Sequence, residues 1–245
     1  MTTVNTLPGQ VRRERAKATR RRIVDSAYRL FSEQGYPATT MEAIAGAADV
    51  AVQTVYFVFR TKSELLREVI EIAAAGVHDA PPVADRPWMQ QTLASADGHR
   101  ALALAVEHGV DIYARVAPLT GAIQAAAASE PDVDAYWRRI AKVRRLGMGQ
   151  LIGGLDRQGQ LRAQLTADRA TDILFAVNSH ETFLHLTRDA GWALKEFKAW
   201  LYETLCEQLL AVPRSPIQAT EDLSFHDSLS GDRLHIDCGT PPLSA

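Results

Sequence analysis

The run VQTVYF, residues 52–57, places an amide, two hydroxyls and a phenyl ring within two helical turns and carries no charge. Base-pair edges in a major groove ask for that chemistry, because they offer hydrogen-bond donors, acceptors and thymine methyls rather than charges. Gln53 can pair bidentately with adenine. Thr54 can give a hydroxyl bond or touch a thymine methyl, as Val52 can. Tyr56 has a phenol long enough to reach a phosphate, and Phe57 can pack on sugar or a thymine methyl. Phosphates would then be met from the flanks. Thr40 and Lys62 stand where helix starts already favour anions. Arg20 and Arg21 belong to seven basic residues crowded between Arg12 and Arg22, which can add backbone or minor-groove contacts. Each phosphate so neutralised contributes roughly 0.9 to the slope of log affinity against log salt.

Helices must hold these groups. Ile23, Ala27, Leu30 and Phe31 recur at helical spacing in a first helix of about residues 19–34, with Gly35 as its stop. Met41, Ile44, Ala45 and Ala48 make one face of a second helix, capped by Thr39 or Thr40. "ADVA" reads as a tight turn, and a short third helix follows over about 52–57, with Val55 and Phe59 pointing back to the first two. A fourth begins at "TKSELL", capped by Thr61 or Ser63. Two helices joined by a tight turn, the second short and polar outward, is the pattern of a helix-turn-helix. Beyond a connection marked by Pro81, Pro82 and Pro87, long helices are expected over about 98–116, 119–128, 131–157, 166–189 and 193–210. No alternating strand pattern occurs.

The fold class is therefore all-α: an N-terminal three-helix helix-turn-helix domain joined to a larger helical domain. The expected divisions are a disordered basic arm (1–17), the helix-turn-helix domain (18–63), a ligand-binding and dimerisation domain (64–212) and a disordered tail (213–245). The charge is as unequal as these divisions. Residues 1–62 hold ten basic against five acidic residues, and the rest 17 against 24, for a net charge of −2. A basic first quarter on an acidic body suggests a polyanion partner for that quarter alone. Cys206 and Cys238 show neither disulfide-framework nor metal spacing, no apolar stretch follows the basic run as a signal peptide would require, and no stretch approaches ~18 uninterrupted apolar residues. The expected setting is cytoplasmic, with no membrane partner.

In the body, a pocket would need a few polar groups converging among apolar walls. Tyr113 and Trp137, large amphipathic rings, are the leading candidates, followed by His108 and His180. Each of these, taken singly, also suits a surface position or a satisfied core. "RRIAKVRR", residues 138–145, reads as a solvated basic face. His226, His235 and Cys238 match no zinc template, so neither metal nor cofactor is expected. No G-x-S-x-G, H-E-x-x-H or G-x-x-x-x-G-K motif is present, and no catalytic residue is assigned.

The segment "TTMEAIAGAADVAVQTVYFVFRTKSELL" strongly resembles the DNA-binding segment of the tetracycline-repressor-like (TetR) family. The matching positions are Thr40, Ile44, Ala45, Val50, Thr54, Val55, Tyr56, Phe59 and Lys62, and the likeness covers residues 19–70. A weaker likeness continues through "DILFAVNSHETFLHLTRDAGW" and "FKAWLYETL". Phe57 and Val58 depart from the Tyr and His of many members, so a phosphate contact often made there is not carried over. The resemblance implies a homodimer made by the last two helices of the body, with rows Ile173, Leu174, Val177, Leu184 and Phe197, Leu201, Leu205, Leu209. The same rows would also serve packing inside one subunit. It further implies a small-molecule effector whose binding moves the reading domains, and a palindromic operator of double-stranded DNA with half-sites spaced near a helical turn or a multiple of it. The leading expectation is a repressor released by its ligand. Two others stand beside it: a helical small-molecule-binding protein or enzyme with a non-functional helix-turn-helix, and a helical scaffold docking through its basic arm.

Overall fold

The computed structural model describes residues 8–211, and the expected disordered tail, with His226, His235 and Cys238, lies outside them. Eleven α-helices follow one another among the described residues. The reading end comprises α1 (Pro8–Ala38), α2 (Met41–Ala47), α3 (Val52–Val58) and α4 (Lys62–Ala75). The body comprises α5 (Pro87–Ala94), α6 (Gly98–Val116), α7 (Thr120–Ser129), α8 (Pro131–Arg157), α9 (Ala167–Val177), α10 (His180–Leu184) and α11 (Leu194–Leu209). The one β feature among them is an isolated bridge between Leu161 and Leu210. No single described helix is long and apolar enough to cross a membrane.

The first helix departs from expectation at its start. Residues 8–17, expected as disordered, continue α1 by more than two turns, their side chains exposed wherever described. Run through one helix, the basic residues form a charged rod. At its other end α1 breaks at Gly35, whose φ of 75° and ψ of 176° suit glycine and no L-residue. The buried Thr39 hydroxyl sits against the Gly35 carbonyl at 2.7 Å and so secures the break.

Two apolar cores meet within the chain, and their division is not at residue 63. The first joins Ile23, Phe31, Ile44, Val55, Phe59 and Leu66 of the reading end to Leu119, Ile123 and Val133 of the body. The second is built from α6, the end of α8 and α9–α11 around Leu102, Val106, Ile152, Leu174 and Leu201. The end of α1 with the short α2 and α3 buries too little to stand alone, and α7, packed on α1, completes their core. Tyrosine hydroxyls tie the same seam. Tyr28 donates to the Arg115 carbonyl at 2.9 Å, Tyr36 to Glu130 Oε1 at 3.2 Å, and Tyr136 to Glu71 Oε1 at 3.2 Å.

The long helix expected over 166–189 is broken. α9 stops at Asn178, whose ψ of 68° leaves the helical region, and Ser179 caps α10 by accepting from the Thr182 amide. A π-turn over His185–Asp189 follows. The apolar rows expected to face a partner are also corrected. Phe197, Leu201, Leu205 and Leu209 are fully buried within the single chain, and Leu174 and Leu184 nearly so. They pack against α6 and α9, which leaves half-buried Ile173 and Val177 as the only members of those rows near the surface.

Candidate functional site

The reading end is shaped by one turn. The Thr40 side chain accepts from the Ala43 amide and starts α2, which Ala48 caps at its end. Asp49 then adopts φ 52°, a left-handed conformation its short polar side chain tolerates, and the axes of α2 and α3 turn by 109°. Val50 is drawn onto the core, and Val55 and Phe59, both fully buried, fix the inner face of α3. Helical periodicity then leaves the opposite face outward. Gln53 is exposed, Tyr56 is 47% exposed and Phe57 is 88% exposed, while Val52 and Thr54 are half-buried. A phenyl ring that open to water is the largest exposed apolar group on this helix. It makes no packing contribution that would explain its type.

The flanking cations stand differently from expectation. Lys62 donates to the carbonyls of Tyr36 at 2.7 Å and Thr39 at 2.9 Å, and its ammonium lies 4.1 Å above the Tyr36 ring. Burial draws its pKa below the ordinary lysine value, with Glu130 acting the other way. The expected phosphate donor is thus a staple between α4 and the α1–α2 connection. Arg20 is engaged too: its guanidinium grips both carboxylate oxygens of Glu68 on α4 and lies 4.5 Å above the Phe59 ring. Arg21 donates to Asp79 at 2.7 Å. The structure therefore joins Arg20 and Arg21 to α4 and the segment after it, and Lys62 to the α1–α2 connection. Thr40 remains exposed beside α3, and Arg12, Arg13 and Arg15 stand exposed along the α1 extension.

In the body, three of the four candidate pocket residues come together. Tyr113 donates to the Asn178 carbonyl at 2.8 Å, and the His180 ring meets the rings of Tyr113 and Trp137 edge-on at 6.0 and 6.3 Å. The break after α9 makes this convergence, because it turns Asn178 and His180 inward. Thr120 donates to the Ala117 carbonyl, so its oxygen accepts from His180 Nε2 at 2.7 Å. His180 Nδ1 and Asn178 Oδ1 are left buried without a partner among the described residues. Burial lowers the His180 pKa, which keeps the ring neutral, although Glu181 opposes the shift.

His108 does not join them. It stacks on Trp88 with ring centroids 4.6 Å apart, in a separate cleft between the end of α4 and the α5–α6 pair. The residues that hold α4 in place there were not singled out from the sequence. Arg115 donates to the Ala73 and Ala74 carbonyls at 2.8 and 3.1 Å, and Arg86 to that of Ala75 at 3.1 Å. Together they satisfy the last turn of α4, whose C-terminal Gly76 is left-handed at φ 81°. A glycine between an alanine run and a proline-rich connection was the available signal.

Residues 23–69 match the model described as bacterial regulatory proteins, tetR family. The likeness to that family is therefore shown for the reading end of the chain. The chain is 38% identical over 65 residues to the HTH-type transcriptional regulator AcrR of Shigella flexneri, covering 26% of this chain and 30% of that one. It is 44% identical over 55 residues to the uncharacterized HTH-type transcriptional regulator TtgW of Pseudomonas putida, covering 22% and 41%. The match thus spans less than half the length of either curated relative. The fold reaches further: the solved SmeT–triclosan complex aligns with 81% of this chain and 96% of its own at a TM-score of 0.63, with 20% identity. The tetR-family match contains both α2 and α3, and it ends in α4.

Proposed function

We propose that this chain regulates transcription by binding operator DNA as a homodimer, and that a small molecule held in its helical body releases it. The carrying observation is the outward face of α3, where Gln53, Tyr56 and Phe57 stand open to water while Val55 and Phe59 anchor the helix. A surface with this mixture of amide, phenol and phenyl suits base edges and thymine methyls. In this reading Val52, Gln53, Thr54 and Phe57 meet bases, and Thr40 and Tyr56 meet phosphates. The arginines of the α1 extension supply the salt-dependent part. Lys62 acts by holding α2 in place.

The matched regulators support the DNA-binding part, and the neighbour solved with triclosan supports a body that takes small molecules. The route between the two is short in this fold. The core of the reading end is completed by α7 and by the start of α8, so movement in the body acts directly on α1. A ligand that shifts operator affinity tenfold need distinguish the two arrangements by only about 1.4 kcal/mol. The test is binding to the DNA upstream of the chain's own gene, followed by fluorescence anisotropy across a salt series. Specific binding in the range of about 10⁻⁸ to 10⁻¹¹ M is expected, with Gln53→Ala and Phe57→Ala each weakening it about tenfold or more. Equal, weak binding to every sequence would reject the proposal.

A further inference from the structure

The cleft at the end of α4 has a volume of about 340 Å³, enough for a compact ligand of one or two rings. Its lining combines two chemistries. The half-buried Trp88 and His108 rings form a flat stack. Burial lowers the His108 pKa, partly offset by Glu107 and Asp111, so the imidazole presents a neutral face. The lining also holds the guanidinium groups of Arg86 and Arg115. The one carboxylate in the lining, Asp111, accepts from buried Lys198 at 2.8 Å and is neutralised by it. Among the described residues no carboxylate lies within ion-pair distance of Arg86, whose pKa is pushed below the ordinary arginine value by burial. Arg86 therefore brings a positive charge to a lining that also offers an aromatic wall.

We infer that this cleft binds a small planar aromatic carboxylate, with its ring along the Trp88–His108 stack and its carboxylate at Arg86. A planar guanidinium favours a carboxylate over a carbonyl, because the carboxylate adds an opposite charge and two oxygens that match the guanidinium fork. The ligand so placed competes with the Ala75 carbonyl, to which Arg86 now donates. It loosens the last turn of the helix that begins at the reading end. That regulatory consequence rests on the function proposed above, whereas the binding site does not.

Calorimetry on the full chain without DNA separates the two. The probes are 1-naphthoate, its neutral counterpart 1-naphthalenemethanol, and cyclohexanecarboxylate, which keeps the charge and loses the flat ring. Naphthoate is expected to bind, with each of the others at least about tenfold weaker, and Arg86→Gln and Trp88→Leu are each expected to weaken naphthoate about tenfold. Trp88→Phe, which keeps a ring, is expected to retain binding and serves if the leucine variant fails to fold. No heat with naphthoate at millimolar concentration, or equal affinity in Arg86→Gln, overturns the assignment. Operator binding by the ligand-free protein is measured separately, so its loss would reject the DNA reading and leave the cleft standing.

Discussion

Lys62→Met removes the ammonium and keeps a stem long enough to cover the Tyr36 ring. In the folded chain Lys62 makes two bonds to carbonyls, at 2.7 and 2.9 Å, and one ring contact at 4.1 Å. A bond from a charged donor contributes roughly 1.5–3 kcal/mol where water is excluded. Here the side chain is half-buried and water can reach the freed carbonyls, so about 1 kcal/mol for each is the reasonable figure. The cation–π contact adds about 0.5 kcal/mol at such a site. A total near 2.5 kcal/mol lowers the melting temperature by about 5–10 °C for a chain of this length. A lysine that instead faced a phosphate would act differently. Its loss would leave the melt unchanged and reduce the slope of log affinity against log salt by about 0.9. Thermal melting and anisotropy over a salt series read both quantities from the same preparation. An unchanged melting temperature together with a slope smaller by about 0.9 would refute the staple.

Gly76→Ala places a Cβ 3.1 Å from Arg115 Nε at a backbone φ of 81°, so strain and collision act together. A loss of about 1–2 kcal/mol is expected in denaturant melts, and an unchanged midpoint would contradict the clamp on α4. His108 and His180 are both held below the ordinary histidine pKa by burial. Below about pH 6.5 the unfolded chain therefore takes up protons that the folded chain resists, so their stabilisation is complete above that pH and lost as pH falls, by at most ~1.4 kcal/mol per pH unit for each histidine. Urea midpoints compared at pH 7.5 and 5.5 should converge in His180→Asn relative to the parent chain, and equal differences in both proteins would count against a neutral buried ring. Leu205→Ala is expected to lower stability by about 2–5 kcal/mol, by the same amount at every protein concentration, since Leu205 is fully buried within one subunit. A folded monomer of unchanged stability would return that row to a dimer interface.

Composition and period carried the helical class and most of the helix positions in this protein. Hydrophobic spacing at Ile23, Ala27, Leu30 and Phe31 must face a common core in any fold, and Thr40 caps whatever helix follows it, because those effects act over a few residues. The outward face of α3 was legible for the same reason: once Val55 and Phe59 are inward, the helical repeat leaves Gln53, Tyr56 and Phe57 outside. Charges were the less legible part. Lys62, Arg20 and Arg21 look alike in sequence whether they wait for phosphate or lie on a carbonyl, a carboxylate or a ring. Their partners Tyr36, Thr39, Glu68 and Asp79 lie dozens of residues away or across a connection. The fate of the apolar rows on α9 and α11 was decided in the same way. An amphipathic row states that it must be covered, and only the placement of α6 against α11 determines that the cover comes from its own chain. Short-range geometry is written in neighbouring residues, whereas the choice among partners of equal chemistry belongs to distance, and the chain acquires distances only when it folds.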